Sequence, residues 1–193
     1  LETCLGVERN LFDESSLHAG RLILDSPILS RQVFEKLISY NKKDFPNDKL
    51  SLHYDKTIDL EEAINTISDR AVRSVKKGNV LIILSDKNLN SNQLTIPAAM
   101  AVGAVHHRLI KEGIRCDCNV IIETASTWNS HHFAVLLGYG CSAIYPYLSF
   151  SIIENMISRN GLDNNVYGNH VANYIMGINA GLLKIMSKMG ISC

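Results

Sequence analysis

The sequence predicts an α/β fold built on parallel strands, either an open sheet or a partial, barrel-like arc, with extra helices toward the carboxyl terminus. Three observations carry this. Asn79 to Ser85 and Asn119 to Glu123 are dominated by β-branched residues and leucine with no polar alternation, the pattern of strands covered on both faces. Strand-like segments centred near residues 52, 82, 121 and 144 alternate with helical patterns at the spacing of βα units, for which right-handed crossovers are the rule. Of the 193 residues, 46% are hydrophobic, enough for a substantial core and too many for a disordered chain.

The elements follow in order. Residues 1–29 show no periodic pattern and are expected to form an irregular opening segment ahead of an α/β domain over 30–193. Ser30 can cap a helix to about Tyr40, in which Val33, Phe34, Leu37 and Ile38 make a 3.6-period apolar stripe. Lys42 to Lys49, with Pro46 inside it, reads as a polar loop before a strand at Leu50 to Tyr54. Asp59 caps the next helix, with Glu61 and Glu62 in the first turn where the macrodipole favours anions, and Gly78 stops it. After the first apolar strand, a helix with Pro97 in its first turn runs to Glu112, its small residues implying close packing, and Gly113 takes the left-handed position beyond it. After the second, Ser130 to Leu137 is a short helix closed by Gly138, and Ala143 to Tyr147 a short strand that Pro146 disturbs. Ser151 to Asn160 and Asn169 to Met189 supply two further helices on either side of the turn-rich Gly161 to Gly168, and a strand is expected to begin after Gly190.

Composition limits the function. Nineteen basic residues balance nineteen acidic ones, so neither a nucleic acid nor an anionic membrane is an expected partner. The longest apolar runs, Val80 to Leu84 and Ile96 to Val105, fall well short of the roughly 20 residues that cross a bilayer. Five cysteines are an odd number, and Cys116 and Cys118 sit two apart in what reads as a strand, too stretched to bridge each other, so a reducing compartment is expected. The first residue is Leu1 with no signal-like segment after it, and the last residues start a strand, so the chain reads as part of a longer protein.

Chemistry-bearing motifs are sparse. His106-His107 and His131-His132 are adjacent pairs on predicted helices, where neighbours point about 100° apart, so neither pair chelates one ion by itself. Gly138-Tyr139-Gly140 starts like a nucleotide loop, but it follows a helix and position 143 is alanine, which argues against a pyridine-nucleotide module. Cys116-x-Cys118 lacks a second pair at zinc spacing, and Cys141 has no identifiable base. Asp86 and Glu123 lie at strand carboxyl ends, where parallel α/β folds place their sites, and a stand-alone enzyme would use them as acid and base. Polar residues are also usual at strand exits.

Several strings then match a known family. They are Leu5-Gly6-x-x-Arg9-Asn10-Leu11, Leu24-Asp25-Ser26-Pro27-Ile28-Leu29, Ile96-Pro97-Ala98-Ala99-Met100-Ala101-Val102-Gly103-Ala104-Val105-His106-His107, and His131-His132-Phe133-Ala134 with Gly138-Tyr139-Gly140. Pro146-Tyr147-Leu148 and the run from Gly181 to Ser192 complete the set. In this order, over the whole chain, they resemble the central domain of the large glutamate synthase polypeptide. The resemblance implies a connector between a glutamine amidotransferase domain and an FMN-binding domain that also carries a three-iron, four-sulfur (3Fe-4S) cluster. Such a parent is an oxidoreductase of glutamate biosynthesis that makes two glutamates from glutamine and 2-oxoglutarate, with ammonia passing through an internal tunnel to the flavin. The resemblance also implies that the amidotransferase nucleophile lies upstream and the flavin and cluster ligands downstream. No catalytic, cofactor or metal residue is then expected in this chain, and Cys4 and Cys193 are not to be mistaken for those groups.

Thr124 to His132 looks most like the ferredoxin-dependent cyanobacterial and plastid enzymes rather than the pyridine-nucleotide-dependent ones. The 21 isoleucines and 17 asparagines, residues of AT-rich codons, add the bias of a plastid genome, so the chloroplast stroma is expected, with a cyanobacterial or bacterial cytoplasm as the alternative. Arg108 stands where the family often continues its histidine run, and Tyr145 precedes Pro146 where Asn or Cys is common. Tyr145 and Ser149 flank the fourth strand exit, and the resemblance makes that side the natural wall of a tunnel. Asp25-Ser26-Pro27 is expected to be a structural turn, held by an Asp or Ser side chain on nearby amides.

Overall fold

Residues 1–40, 43–159 and 167–191 are described by the computed structural model. In chain order the elements are Thr3–Leu5 (β1), Leu22–Leu24 (β2), Arg31–Ser39 (α1), Asn47–Ser51 (β3), His53–Asp55 (β4), Leu60–Lys76 (α2) and Leu81–Ser85 (β5). Gln93–Thr95 (β6), Ala98–Lys111 (α3), Asn119–Glu123 (β7), Ser130–Gly138 (α4), Ala143–Tyr145 (β8), Tyr147–Arg159 (α5) and Tyr167–Met189 (α6) follow. Strands β3, β5, β7 and β8 form a parallel sheet in that order, an open α/β arrangement as the apolar runs predict.

The two apolar runs are the middle of that sheet. Every residue of β5 and β7 is buried, and Leu81, Ile82, Ile83, Leu84, Val120, Ile121 and Ile122 have no exposed surface. Burying each such side chain stabilises by about 1.5–3 kcal/mol, which is why these strands need no alternation. Each strand is added to the same side of the one before it, so right-handed crossovers send α2, α3 and α4 across one face. There α2 packs on α3 and α3 on α4, and Ser74 of α2 donates to Asp48 of β3 at 2.7 Å. The other face carries Tyr145, whose ring stacks on Phe34 of α1 at 4.4 Å between centroids. Ile28 adds a single parallel bridge to Ile144, so the segment after β2 extends the β8 edge before α1 begins.

Local signals explain the helix starts. Ser30 accepts from the Val33 amide and Asp59 from the Glu61 amide, as the capping pattern predicts. The helix after β6 differs slightly, because Pro97 is its N-cap rather than a residue of its first turn.

The structure corrects several expectations. The opening segment is not wholly irregular: β1 and β2 pair antiparallel around a short 3-10 turn at Ser16–Ala19, and Leu5 is fully buried. The strand expected at Leu50 to Tyr54 is two. It enters the sheet earlier, at Asn47, because polar side chains are acceptable on an edge strand. At the buried Leu52 the chain leaves the sheet, and β4 pairs antiparallel with β6. The Leu52 amide still donates to Ser85 O while its carbonyl accepts from Ile96, which fixes the break. Helix α5 starts directly after Pro146, earlier than Ser151. The left-handed glycine behind α4 is Gly140, with φ of 102°, not Gly138. Cys116 lies in a 3-10 turn at Arg115–Asp117 that delivers Cys118 to the sheet, so the pair is not in a strand. Lys42, most of the Gly161 to Gly168 turn and the expected terminal strand at Ser192 and Cys193 lie outside the described residues.

Candidate functional site

The carboxyl ends of the parallel strands gather the polar residues. Ser85, Glu123 and Tyr145 are partners in register across β5, β7 and β8, so their side chains share one face. Glu123 is 1% exposed. It accepts from Ser85 Oγ at 2.6 Å, pairs with Lys49 Nζ at 2.5 Å, and has Lys87 Nζ at 3.9 Å from its other oxygen. Lys49 sits on the same face one pleat earlier, across β5, and its stem reaches up to the carboxylate. A carboxylate stripped of water needs such partners, and both of its oxygens have a cation near them.

Asp86, the other carboxylate, is turned into the β7 exit. It accepts from Thr124 Oγ1 at 2.5 Å and from the Ala125 amide at 3.1 Å, while its carbonyl meets His53 Nε2 at 2.9 Å. Tyr147 stands beside it, its hydroxyl pushed well above the usual phenol range by burial and then by the Asp86 charge. Lys87 lies over the Tyr147 ring at 5.6 Å. The two carboxylates proposed as acid and base are therefore both occupied with hydrogen bonds that hold strand exits together.

Tyr145 and Ser149 lie at the fourth exit, as their positions predict. Tyr145 is packed between the rings of Phe34 and Phe150, and Ser149 donates to Thr127 O at 2.7 Å. Thr127 is 2% exposed, and its own hydroxyl has no hydrogen-bond partner among the described residues.

At the opposite end of the sheet Arg115 acts as a staple. It donates to His106 Nδ1 at 2.9 Å, Cys118 O at 2.8 Å and Gly140 O at 2.8 Å, joining α3, the start of β7 and the turn after α4. Burial, then Arg115 and His107, hold His106 below the ordinary imidazole value. A Cβ on Gly140 would lie 2.1 Å from His106 Nδ1, so the Gly138-Tyr139-Gly140 turn is shaped by a histidine ring and not as a phosphate cradle. His106 thus has a structural partner, and among the described residues no group of three or more His, Cys, Asp or Glu could hold a metal.

Burial pushes the Cys118 thiol up to about 11 and the Cys141 thiol up to about 12, so both are protonated core groups rather than activated nucleophiles, while Cys4 and Cys116 are exposed. The Asp25-Ser26-Pro27 turn is held by serine. Ser26 Oγ accepts from the Ile28 amide at 3.1 Å and donates to Asn179 at 3.0 Å.

Comparison with known proteins completes the picture. The profile of the family described as "Glutamate synthase central domain" matches residues 1–193, the whole chain. The chain belongs to this family. A ferredoxin-dependent glutamate synthase of Pyropia yezoensis is 35% identical over 97% of the chain, and the large chain of NADPH glutamate synthase from Bacillus subtilis 36% over 98%. The NADH glutamate synthase of Saccharomyces cerevisiae is 35% identical over all of it. The chain spans 13%, 12% and 10% of these relatives, so the glutamate synthase central domain is a small part of each.

Lys49, Lys87, Tyr147 and Arg115 are site residues that sequence reasoning missed. Lys49 carries one usable signal, a lysine inside an edge strand. The others are recognisable only once register and helix packing are known.

Proposed function

We propose that this chain is the connector of a longer glutamate synthase polypeptide that makes two glutamates from glutamine and 2-oxoglutarate, with reduced ferredoxin as electron donor. The observation that carries the reading is the end-to-end match to the central-domain family, together with coverage of only 10–13% of the relatives. In this reading the FMN, the 3Fe-4S cluster and the amidotransferase nucleophile belong to other domains of the same polypeptide, and this chain holds those domains in place. The packed strand exits support a scaffold, since Glu123 and Asp86 are spent on internal hydrogen bonds.

The ferredoxin subtype rests on the Thr124 to His132 segment and on relatives from Oryza sativa, Arabidopsis thaliana and Synechocystis named as ferredoxin-dependent. Those names also favour a chloroplast or a cyanobacterial cytoplasm. No helix among the described residues is long and apolar enough to cross a membrane. Tyr145 and Ser149 border the ammonia path in this reading. The hydroxyl of Thr127 beside Ser149, unpartnered among the described residues, supports it, because a small polar solute would supply a partner.

The test supplies the full polypeptide with glutamine and 2-oxoglutarate and compares reduced ferredoxin with NADPH and NADH. Glutamate formation with ferredoxin alone is expected. Equal or faster formation with a pyridine nucleotide would reassign the donor. Ser149→Phe in the same polypeptide should leave glutamine hydrolysis intact while ammonia leaks and glutamate per glutamine falls; unchanged coupling in a normally folded variant would remove Ser149 from the path.

A further inference from the structure

The guanidinium of Arg115 sits where three elements meet, and one of its partners is titratable. Nε donates to His106 Nδ1 of α3 at 2.9 Å, while Nη1 reaches Cys118 O at the entry to β7 and Nη2 reaches Gly140 O in the turn behind α4, both at 2.8 Å. An imidazole accepts at Nδ1 only when that nitrogen is bare, so the ring is neutral with its proton on Nε2. The ring also packs on the turn itself, because a Cβ on Gly140 would fall 2.1 Å from Nδ1. His106 is only partly buried, so protons reach it from solvent. The groups around the ring disfavour an added proton. The 3-10 turn contributes Arg115, Cys116 and Asp117, the entry to β7 the protonated Cys118 thiol, α4 and its turn His131, His132 and Tyr139, and α3 itself His107. On α2, Asp69 pairs with Arg108 and Lys76 with Glu112. The charges that act on His106 are Arg115 and His107, whose ring lies 5.5 Å away, and both oppose a second proton, as burial does.

We infer that His106 and Arg115 form an acid-released latch on the turn between α4 and β8. A proton taken from solvent fills the Nδ1 lone pair, so an N–H then faces the Arg115 N–H and two cations stand side by side, and a guanidinium has no acceptor to offer. The contact between them is lost and the two groups move apart. Release falls on the turn because Gly140 touches both partners, its carbonyl held by Arg115 and its backbone lying on the ring. The amides of Gly140, Cys141 and Ser142, which donate to Leu137 O, Leu136 O and Val120 O, lead the chain into β8. These loosen, while β5 in the middle of the sheet stays closed. The direction of the titration agrees: His106 is held below 6.5 in the folded chain, so the latch is closed near neutral pH and opens as pH falls through that lowered value.

Hydrogen exchange of the full polypeptide, followed by mass spectrometry of its peptides, reads the latch at about pH 7.5 and about pH 5, after correction for the intrinsic pH dependence of exchange. The amides of residues 140–142 should exchange at least threefold faster at the lower pH, while those of Leu81–Ser85 are unchanged. In His106→Asn, whose amide oxygen can take the Arg115 hydrogen bond and does not titrate, this pH dependence should vanish. In Arg115→Gln the turn should exchange fast at both pH values. No acceleration at residues 140–142 of the native polypeptide would overturn the latch, and so would equal acceleration at Leu81–Ser85, which is general acid unfolding. A pH dependence that persists in His106→Asn or in Arg115→Gln would overturn it as well, because another group would then be the one that titrates. The native polypeptide supplies the first two readouts, so they decide the matter even where a variant does not fold.

Discussion

Removing Lys49 should destabilise the protein more than neutralising the carboxylate it serves. The side chain of Lys49 is 46% exposed and that of Glu123 only 2%, so the two partners have unequal access to water. In Lys49→Met the anion stays buried with Ser85 and a distant Lys87, whereas in Glu123→Gln the ammonium turns to solvent and the amide keeps the Ser85 bond. Breaking a fully buried pair costs about 3–5 kcal/mol and breaking an exposed one about 0.2–1 kcal/mol. Lys49→Met lies between them, at about 2 kcal/mol, and Glu123→Gln near the 0.5–1.5 kcal/mol typical of one hydrogen bond, about 1 kcal/mol. With a urea dependence of roughly 2 kcal/mol per molar, the midpoints should fall by about 1 M and about 0.5 M. Equilibrium urea unfolding of both variants reads this directly. A Glu123→Gln loss equal to or larger than that of Lys49→Met would refute the account of Glu123 as a buried, structurally paired group.

Further outcomes follow from single contacts. Gly140→Ala should lower stability by about 2–4 kcal/mol, combining strain at φ of 102° with displacement of His106 from Arg115, and a change below about 0.5 kcal/mol in urea unfolding would contradict it. Ser26→Ala should cost about 1 kcal/mol while Asp25→Ala is close to neutral, since Ser26 holds the turn; the reverse order in thermal melts would return the role to Asp25. His106 is lowered from 6.5 in the folded chain, so it binds fewer protons there than when unfolded. Its contribution is complete above the unfolded value and is lost as pH falls through the folded one. The urea midpoint should therefore drop more steeply on acidification in the native chain than in His106→Asn, and parallel profiles would contradict this.

What was legible in the sequence depended on how local its cause is. The strands at Leu81–Ser85 and Asn119–Glu123 were evident because both faces are buried and the composition says so without any partner. Ser30 and Asp59 announced their helices because a cap acts within three residues. Leu50 to Tyr54 misled, since the change of partner at Leu52 is set by the β6 ladder far along the chain. Gly138 reads as the end of its helix, but the need for a left-handed glycine at Gly140 comes from the His106 ring, which the sequence does not show. At the site, Glu123 and Asp86 were visible as strand-end carboxylates. Their partners were not, because the Lys49 pairing exists only through the registers of β3 on β5 and β5 on β7.

The central claim, that this domain serves a polypeptide coupling glutamine hydrolysis to reduction of a keto acid, is tested most directly with glutamine labelled with nitrogen-15 in its amide. The full polypeptide is supplied with that glutamine, unlabelled 2-oxoglutarate and reduced ferredoxin, and the products are separated by mass. The account predicts two glutamates per glutamine, one of them carrying the label in its amino group, with little labelled ammonium in solution. Label appearing only as free ammonium, with no labelled glutamate, would contradict it.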